Sequence, residues 1–153
     1  SYDYWLIYVT SEKDVTVRKA DPVEDLADGI YHFNIGSDTG LLKSMKFSRV
    51  QIPYMAELRA AQAANQGVTQ LEQLKFPYNT DLSLIGTSLF TPGMYYYINP
   101  SLAGLGRVEN ASSLAYQMNL GGYHIILKTT MTISKDGGFK TEINGKQTAQ
   151  AAR

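Results

Sequence analysis

Residues 123–143 read YHIILKTTMTISKDGGFKTEI, and this stretch decides the fold. From Tyr123 to Ile133 the residues alternate, with Tyr123, Ile125, Leu127, Thr129, Met131 and Ile133 expected on one face. That period of two is the signature of a β-strand. Lys135-Asp136-Gly137-Gly138 supplies a hairpin turn. Phe139, Thr141 and Ile143 then continue the apolar face on the return strand, and Asn144-Gly145 reads as its end, ahead of a polar tail, Lys146 to Arg153. A two-stranded hairpin is marginal by itself in water. The rest of the chain must therefore supply strands that pack against it.

Upstream, those strands are short and separated by turn residues. Met94 to Ile98 is a strand dense in tyrosine, started by the turn Thr91-Pro92-Gly93 and ended by Asn99-Pro100. Thr80 to Ile85 puts Leu82 and Leu84 on one face, while Leu42 to Ser48 alternates with no clean apolar face. Tyr31 to Ile35 is a short extended piece before the turn cluster Gly36 to Gly40. Tyr2 to Val9 is aromatic and β-branched, and Val15 to Arg18 reads as a shorter strand. Helices are few. Asp21-Pro22 caps a short one over Pro22 to Asp28, stopped by Gly29. Pro53 to Gln66 is composed of helix formers and closed by Gly67, and Asn110 can cap a helix through Asn119 that Gly121-Gly122 stops. Val68 to Phe76 fits either state. No βαβ rhythm and no internal repeat is present. The expected fold is mainly β with one or two short helices (α+β), a small antiparallel β-barrel or curled sheet.

The 153 residues suffice for one domain with a core. Lys and Arg number 14, as do Asp and Glu, so the formal net charge is zero. A nucleic-acid binder carries a basic excess, and none exists here. Charged residues make up 18%, below the usual share, which hints at surface hidden by assembly. Cysteine is absent, so disulfides, thiolate metal sites and cysteine catalysis are excluded. No apolar run is long enough for a membrane helix. The chain opens on Ser1 rather than Met, directly in a strand-like run, so the expectation is a fragment, or the C-terminal part, of a longer protein. Eleven tyrosines suit strands and interfaces.

Catalytic patterns are lacking. The two histidines, His32 and His124, sit in no HxH or HExxH spacing. His124 falls on the more polar face of its strand and is expected at the surface or in an interface. No GxSxG elbow or phosphate loop occurs. Glu24, Asp25 and Asp28 read as a solvated helix end rather than a carboxylate pair in a cleft. Asn110-Ala111-Ser112 matches a glycosylation acceptor, but capping accounts for it better. Tyr95-Tyr96-Tyr97 suits a sugar platform or core and subunit packing, and packing is favoured because alternate residues point to opposite faces.

Several strings, in order, resemble a family of tailed-phage virion structural proteins. Phe90 to Pro100 (FTPGMYYYINP) is similar to its F-x-P-G-M-x-x-Y-I-N-P strand. Met118 to Lys128 matches its L-G-L-G-G-Y-Y-x-V-x-K block, with His124 for a tyrosine and Met118-Asn119 for the first Leu-Gly. Gly138 to Ile143 resembles its closing G-x-F-x-T-x-L/I, and Gly29 to Gly36, Gly40 to Ser48 and Ile52 to Arg59 resemble blocks upstream. The resemblance runs from Tyr2 to about Ile143. It implies a tail hub or baseplate domain, in which small barrels form a ring with sheet edges covered by neighbours. On it rests the expectation of a non-enzymatic bacteriophage tail component, located in the virion tail and assembled in the host cytoplasm. Its partners would be copies of itself and other virion tail proteins, with no nucleic-acid specificity and no membrane span. The alternative is a receptor- or glycan-binding tail module, and a peptidoglycan hydrolase domain ranks last. No catalytic, cofactor or metal residues are assigned. The structural motif and interface candidates are Pro92, Gly93, Met94, Tyr95, Tyr96, Tyr97, Gly121, Gly122, Tyr123 and Phe139.

Overall fold

The computed structural model describes residues 19–35, 40–50 and 78–149. The strands expected over Tyr2 to Val9 and Val15 to Arg18, most of the Gly36 to Gly40 turn, the Pro53 to Gln66 helix and the Val68 to Phe76 stretch lie outside these residues.

The described chain is mainly β, a curled half-barrel sheet with two short helices. Its strands are β1 (Tyr31–Asn34), β2 (Leu42–Arg49), β3 (Tyr78–Ile85), β4 (Tyr95–Asn99), β5 (Gly122–Ser134) and β6 (Gly138–Ala149). They run in the order β1-β4-β5-β6-β3-β2. All neighbours are antiparallel except β1 and β4, which pair in parallel from Tyr31↔Tyr96 to Asn34↔Asn99. The sheet is therefore mixed rather than purely antiparallel. The helices are α1 (Pro22–Ala27) and α2 (Leu114–Gln117), with a 3-10 turn at Ser101–Ala103.

Local chemistry sets most element ends. The Asp21 carboxylate accepts from the backbone N–H of Val23 at 2.8 Å and of Glu24 at 3.3 Å, satisfying donors that the first turn of α1 leaves open. Met94 N–H donates to Thr91 O at 3.2 Å across the Pro92-Gly93 turn, with Gly93 at φ +93°. The β5–β6 turn closes with Gly137 N–H donating to Ser134 Oγ at 2.9 Å. The second helix is shorter than expected. Ser113, not Asn110, caps it, accepting from Tyr116 N–H at 3.1 Å. The Asn110 side chain instead accepts from Ser112 N–H at 3.0 Å, a local turn that competes with helix.

Two readings of the hairpin need correction. β5 does not keep one alternation. Ile126 pairs with Gly145 but Lys128 pairs with Asn144, so Leu127 is an extra, bulged residue. A bulge shifts the alternation by one. Before it His124 and Ile126 lie on the core side of the sheet; after it Thr129, Met131 and Ile133 take that side, opposite Ile143, Thr141 and Phe139, with Met131 and Ile133 exposed beyond the core. Tyr123 and Ile125 thus lie on the other face from Met131 and Ile133. The second correction concerns Asn144-Gly145, which ends nothing: β6 runs on to Ala149. Gly145 is kept small because a Cβ there would fall inside the Tyr96 phenol.

The main core lies on one face of the sheet and gathers Phe33, Leu82, Leu84, Phe90, Tyr96, Ile98, Ile126 and Ile143. A smaller cluster, Ile30, Tyr97 and Tyr123, forms on the opposite face, where α1 packs.

Candidate functional site

The tyrosine strand β4 is core on both faces. Tyr96 is fully buried, Tyr97 nearly so, and Tyr95 half-buried. Tyr96 hydrogen-bonds Thr80 Oγ1 through its hydroxyl and stacks on the His124 ring, with centroids 5.3 Å apart. Tyr97 donates to Glu109 Oε1 at 2.8 Å. Burial holds both phenols well above their ordinary pKa, so each stays protonated as a donor or acceptor. Neither offers a ring to a ligand on the surface.

Behind β4 a polar cluster ties α1 to the sheet. Asp25 is fully buried, and its Oδ2 accepts from Tyr123 Oη at 2.8 Å and meets His32 Nε2 at 2.6 Å. His32 in turn stacks on Tyr97 at 4.5 Å. This corrects the reading of Asp25 as part of a solvated helix end. Glu24 and Asp28 are exposed as expected, but the helical turn of 100° per residue points Asp25 inward. His124 is a second correction. It is fully buried, because the strand's alternation places it opposite Tyr96 and Gln147 on the core face. Its Nδ1–H donates to Gly122 O at 2.9 Å, which fixes the tautomer. Its Nε2 is buried and has no hydrogen-bond partner among the described residues. Burial pushes its pKa down to about 4, so the ring is neutral.

The remaining motif residues are divided. Gly121 and Gly122 sit at φ +89° and +87°, and a Cβ on Gly121 would come within 2.8 Å of Ile98 O. Met94 packs against the core, and Gly93 N–H donates to Ile126 O at 2.9 Å. Pro92 and Gly93 themselves are exposed, and Phe139, 39% exposed, covers Gly86. The motif therefore builds the core end of the sheet, with Phe139 alone near the far end.

That far end is where surface chemistry lies. β4 accompanies β5 only from Gly122 to Ile125, and the last bonds are Ile126 N–H to Met94 O and Gly93 N–H to Ile126 O, both at 2.9 Å. From residue 127 to 134 no described strand covers this side of β5. The hairpin there exposes an apolar row: Met131 at 45%, Ile133 at 81% and Phe139. The opposite face of the sheet is polar. It forms an open groove of about 620 Å³ lined by Lys46, Asp81, Lys128, Lys140, Glu142 and Asn144. Within it Lys140 Nζ donates to Glu142 Oε1 at 2.5 Å, and Asn144 donates to Asp81. Among the described residues, no three His, Asp or Glu side chains converge as a metal centre would require, and no described helix is long and apolar enough to cross a membrane.

Sequence reasoning missed the β5 edge that no described strand covers and the projecting apolar row. The signal was present in the lengths: a β5 of thirteen residues cannot be matched along its whole length by a β4 of five.

No family model, curated protein or solved structure matches this chain.

Proposed function

We propose that this chain is a structural module of a bacteriophage tail, of the hub or baseplate kind, which works by packing against copies of itself and neighbouring tail proteins. The observation that carries the reading is the projecting β5–β6 hairpin, with its apolar row Met131, Ile133 and Phe139 exposed beside a strand edge that no described strand covers. A contiguous apolar row next to unpaired backbone is the composition of a protein interface rather than of a free surface. The ordered strings around Phe90 to Pro100, Met118 to Lys128 and Gly138 to Ile143 supply the phage assignment by resemblance. Net neutrality and a low charged share favour close packing of copies. Assembly would take place in the host cytoplasm, before the particle is released.

The glycan-binding alternative is weakened, because Tyr96 and Tyr97 of the suggested platform are buried and Tyr95 is half-buried. The test is immunogold labelling of purified tailed-phage particles with antibodies raised against this chain. Gold at the tail is the expected result, and a chain absent from mature particles would overturn the reading.

A further inference from the structure

The described sheet has three places where backbone is left unpaired, and they differ in how they are guarded. β1 is four residues long, too short to template much pairing. β2, at the other end of the sheet, carries Lys43, Lys46 and Arg49 and no acid. Cations on an edge strand deter a second strand from docking, above all a second copy of the same strand. The free side of β5, residues 127–134, has neither protection. It is long and regular beyond the Leu127 bulge, and Lys128 is its only charge. One face of it is the exposed apolar row, and the other is Thr130 and Thr132.

We infer that two copies of this chain pair antiparallel through this β5 edge, residues 128–134 of each, with Met131 on the two-fold axis. The occupant follows from charge. Docking the edge on β2 of another copy would set Lys128 among Lys43, Lys46 and Arg49. Docking it on itself about Met131 sets Lys128 opposite Ser134, Thr129 opposite Ile133 and Thr130 opposite Thr132, so no like charges face each other. Opposed residues in an antiparallel pair share a face. The apolar row of one copy therefore runs on into that of the other, with Met131 against Met131 and Ile133 near Thr129. Chains of zero net charge meet without long-range repulsion. The contact is isologous, so it closes on itself as a dimer, and any ring contact must use other surfaces. The pairing deepens the assembly reading but does not depend on the particle being a phage tail.

The test uses the full 153-residue chain. Sedimentation velocity across a concentration series should show a monomer–dimer equilibrium. Met131→Lys puts two cations face to face and should weaken it by about tenfold or more, roughly 1.4 kcal/mol. Because the chain has no cysteine, Met131→Cys introduces a single thiol. Mild oxidation should give a covalent dimer, whereas Lys46→Cys on the β2 edge should stay monomeric. The crosslinking pair decides the matter if Met131→Lys disturbs folding. A wild-type chain that is monomeric at its highest soluble concentration, or equal crosslinking of the two cysteine variants, would overturn the inference. Labelled tails with no dimer would sink the pairing and leave the tail reading standing; a dimer with unlabelled tails would do the reverse.

Discussion

The two halves of β5 share one strand and have opposite lives. From Gly122 to Ile126 the strand is walled in by β4 and β6, with Tyr123, His124 and Ile126 all essentially inaccessible to water. From Leu127 to Ser134 it keeps β6 but loses β4, and Leu127, Met131 and Ile133 are exposed. Both halves carry large apolar residues, Tyr123, Ile125 and Ile126 in one and Leu127, Met131 and Ile133 in the other. What separates them is the Leu127 bulge and the short partner strand β4. The comparison teaches that apolar alternation marks a face that wants covering, while the length of the neighbouring strands decides how far the described sheet covers it.

The sharpest way to break the comparison is to remove a side chain from the walled half. Tyr96→Ala should cost about 4 kcal/mol, as large aromatic truncations in cores do, and should leave Thr80 Oγ1 without its phenol partner. Urea titration measures it. A loss no greater than that of an exposed substitution would show that the β4–β5 core is not packed as described.

The next effect is set by His124. In the unfolded chain this histidine binds a proton near its ordinary pKa of 6.5, but in the fold it does so only near 4. Between those values the unfolded state holds more protons, so stability is present above pH 6.5 and falls as pH drops toward 4. The full shift corresponds to about 3 kcal/mol. Stability measured at stepwise pH should show that slope. His124→Phe should flatten it within this window, whatever its effect on the neutral-pH value. An unchanged slope in the variant would assign the acid sensitivity to other groups.

Asp25→Ala should cost about 2 kcal/mol, since Tyr123 Oη and His32 Nε2 would lose a shared acceptor in a buried site. Glu24→Ala, one residue away and exposed, should change stability by less than about 0.5 kcal/mol. Equal effects at the two positions would return Asp25 to the solvated helix end that its sequence neighbours suggest.

The smallest effect sharpens the comparison from the exposed side. Ile133→Thr should alter the stability of the monomer by less than about 0.5 kcal/mol, because the side chain is 81% exposed. Ile126→Ala, the same residue type before the bulge, should cost about 3 kcal/mol. Similar losses at both positions would mean that the far end of the hairpin is covered within one chain.

How much of this was legible depends on the range of the interaction involved. The β-rich class, the hairpin with its Lys135 to Gly138 turn, the Asp21-capped helix and the Pro92-Gly93 turn were readable because each rests on residues a few positions apart. The bulge was not, since a single inserted residue leaves no mark in the sequence until its partner strand shows where pairing slips. Gly145 read as a strand end because Asn-Gly is a turn signal locally; only the phenol of Tyr96, brought from a distant strand, makes it a packing glycine instead. Asp25 and His124 failed for the same reason, as polar residues whose partners, Tyr123 and His32 for one and Tyr96 for the other, arrive from elsewhere in the chain.

By itself, then, the sequence determined that this protein is built of short strands around an alternating hairpin, without net charge and without thiols. The tertiary structure alone decided the parallel β1–β4 pairing, the inward turn of Asp25 and His124, and which half of β5 no other described strand flanks on its β4 side. Alternation and turn chemistry are local and survive in any context, whereas burial is a property of whichever strands happen to lie alongside, and their lengths and register are settled only when the whole sheet closes.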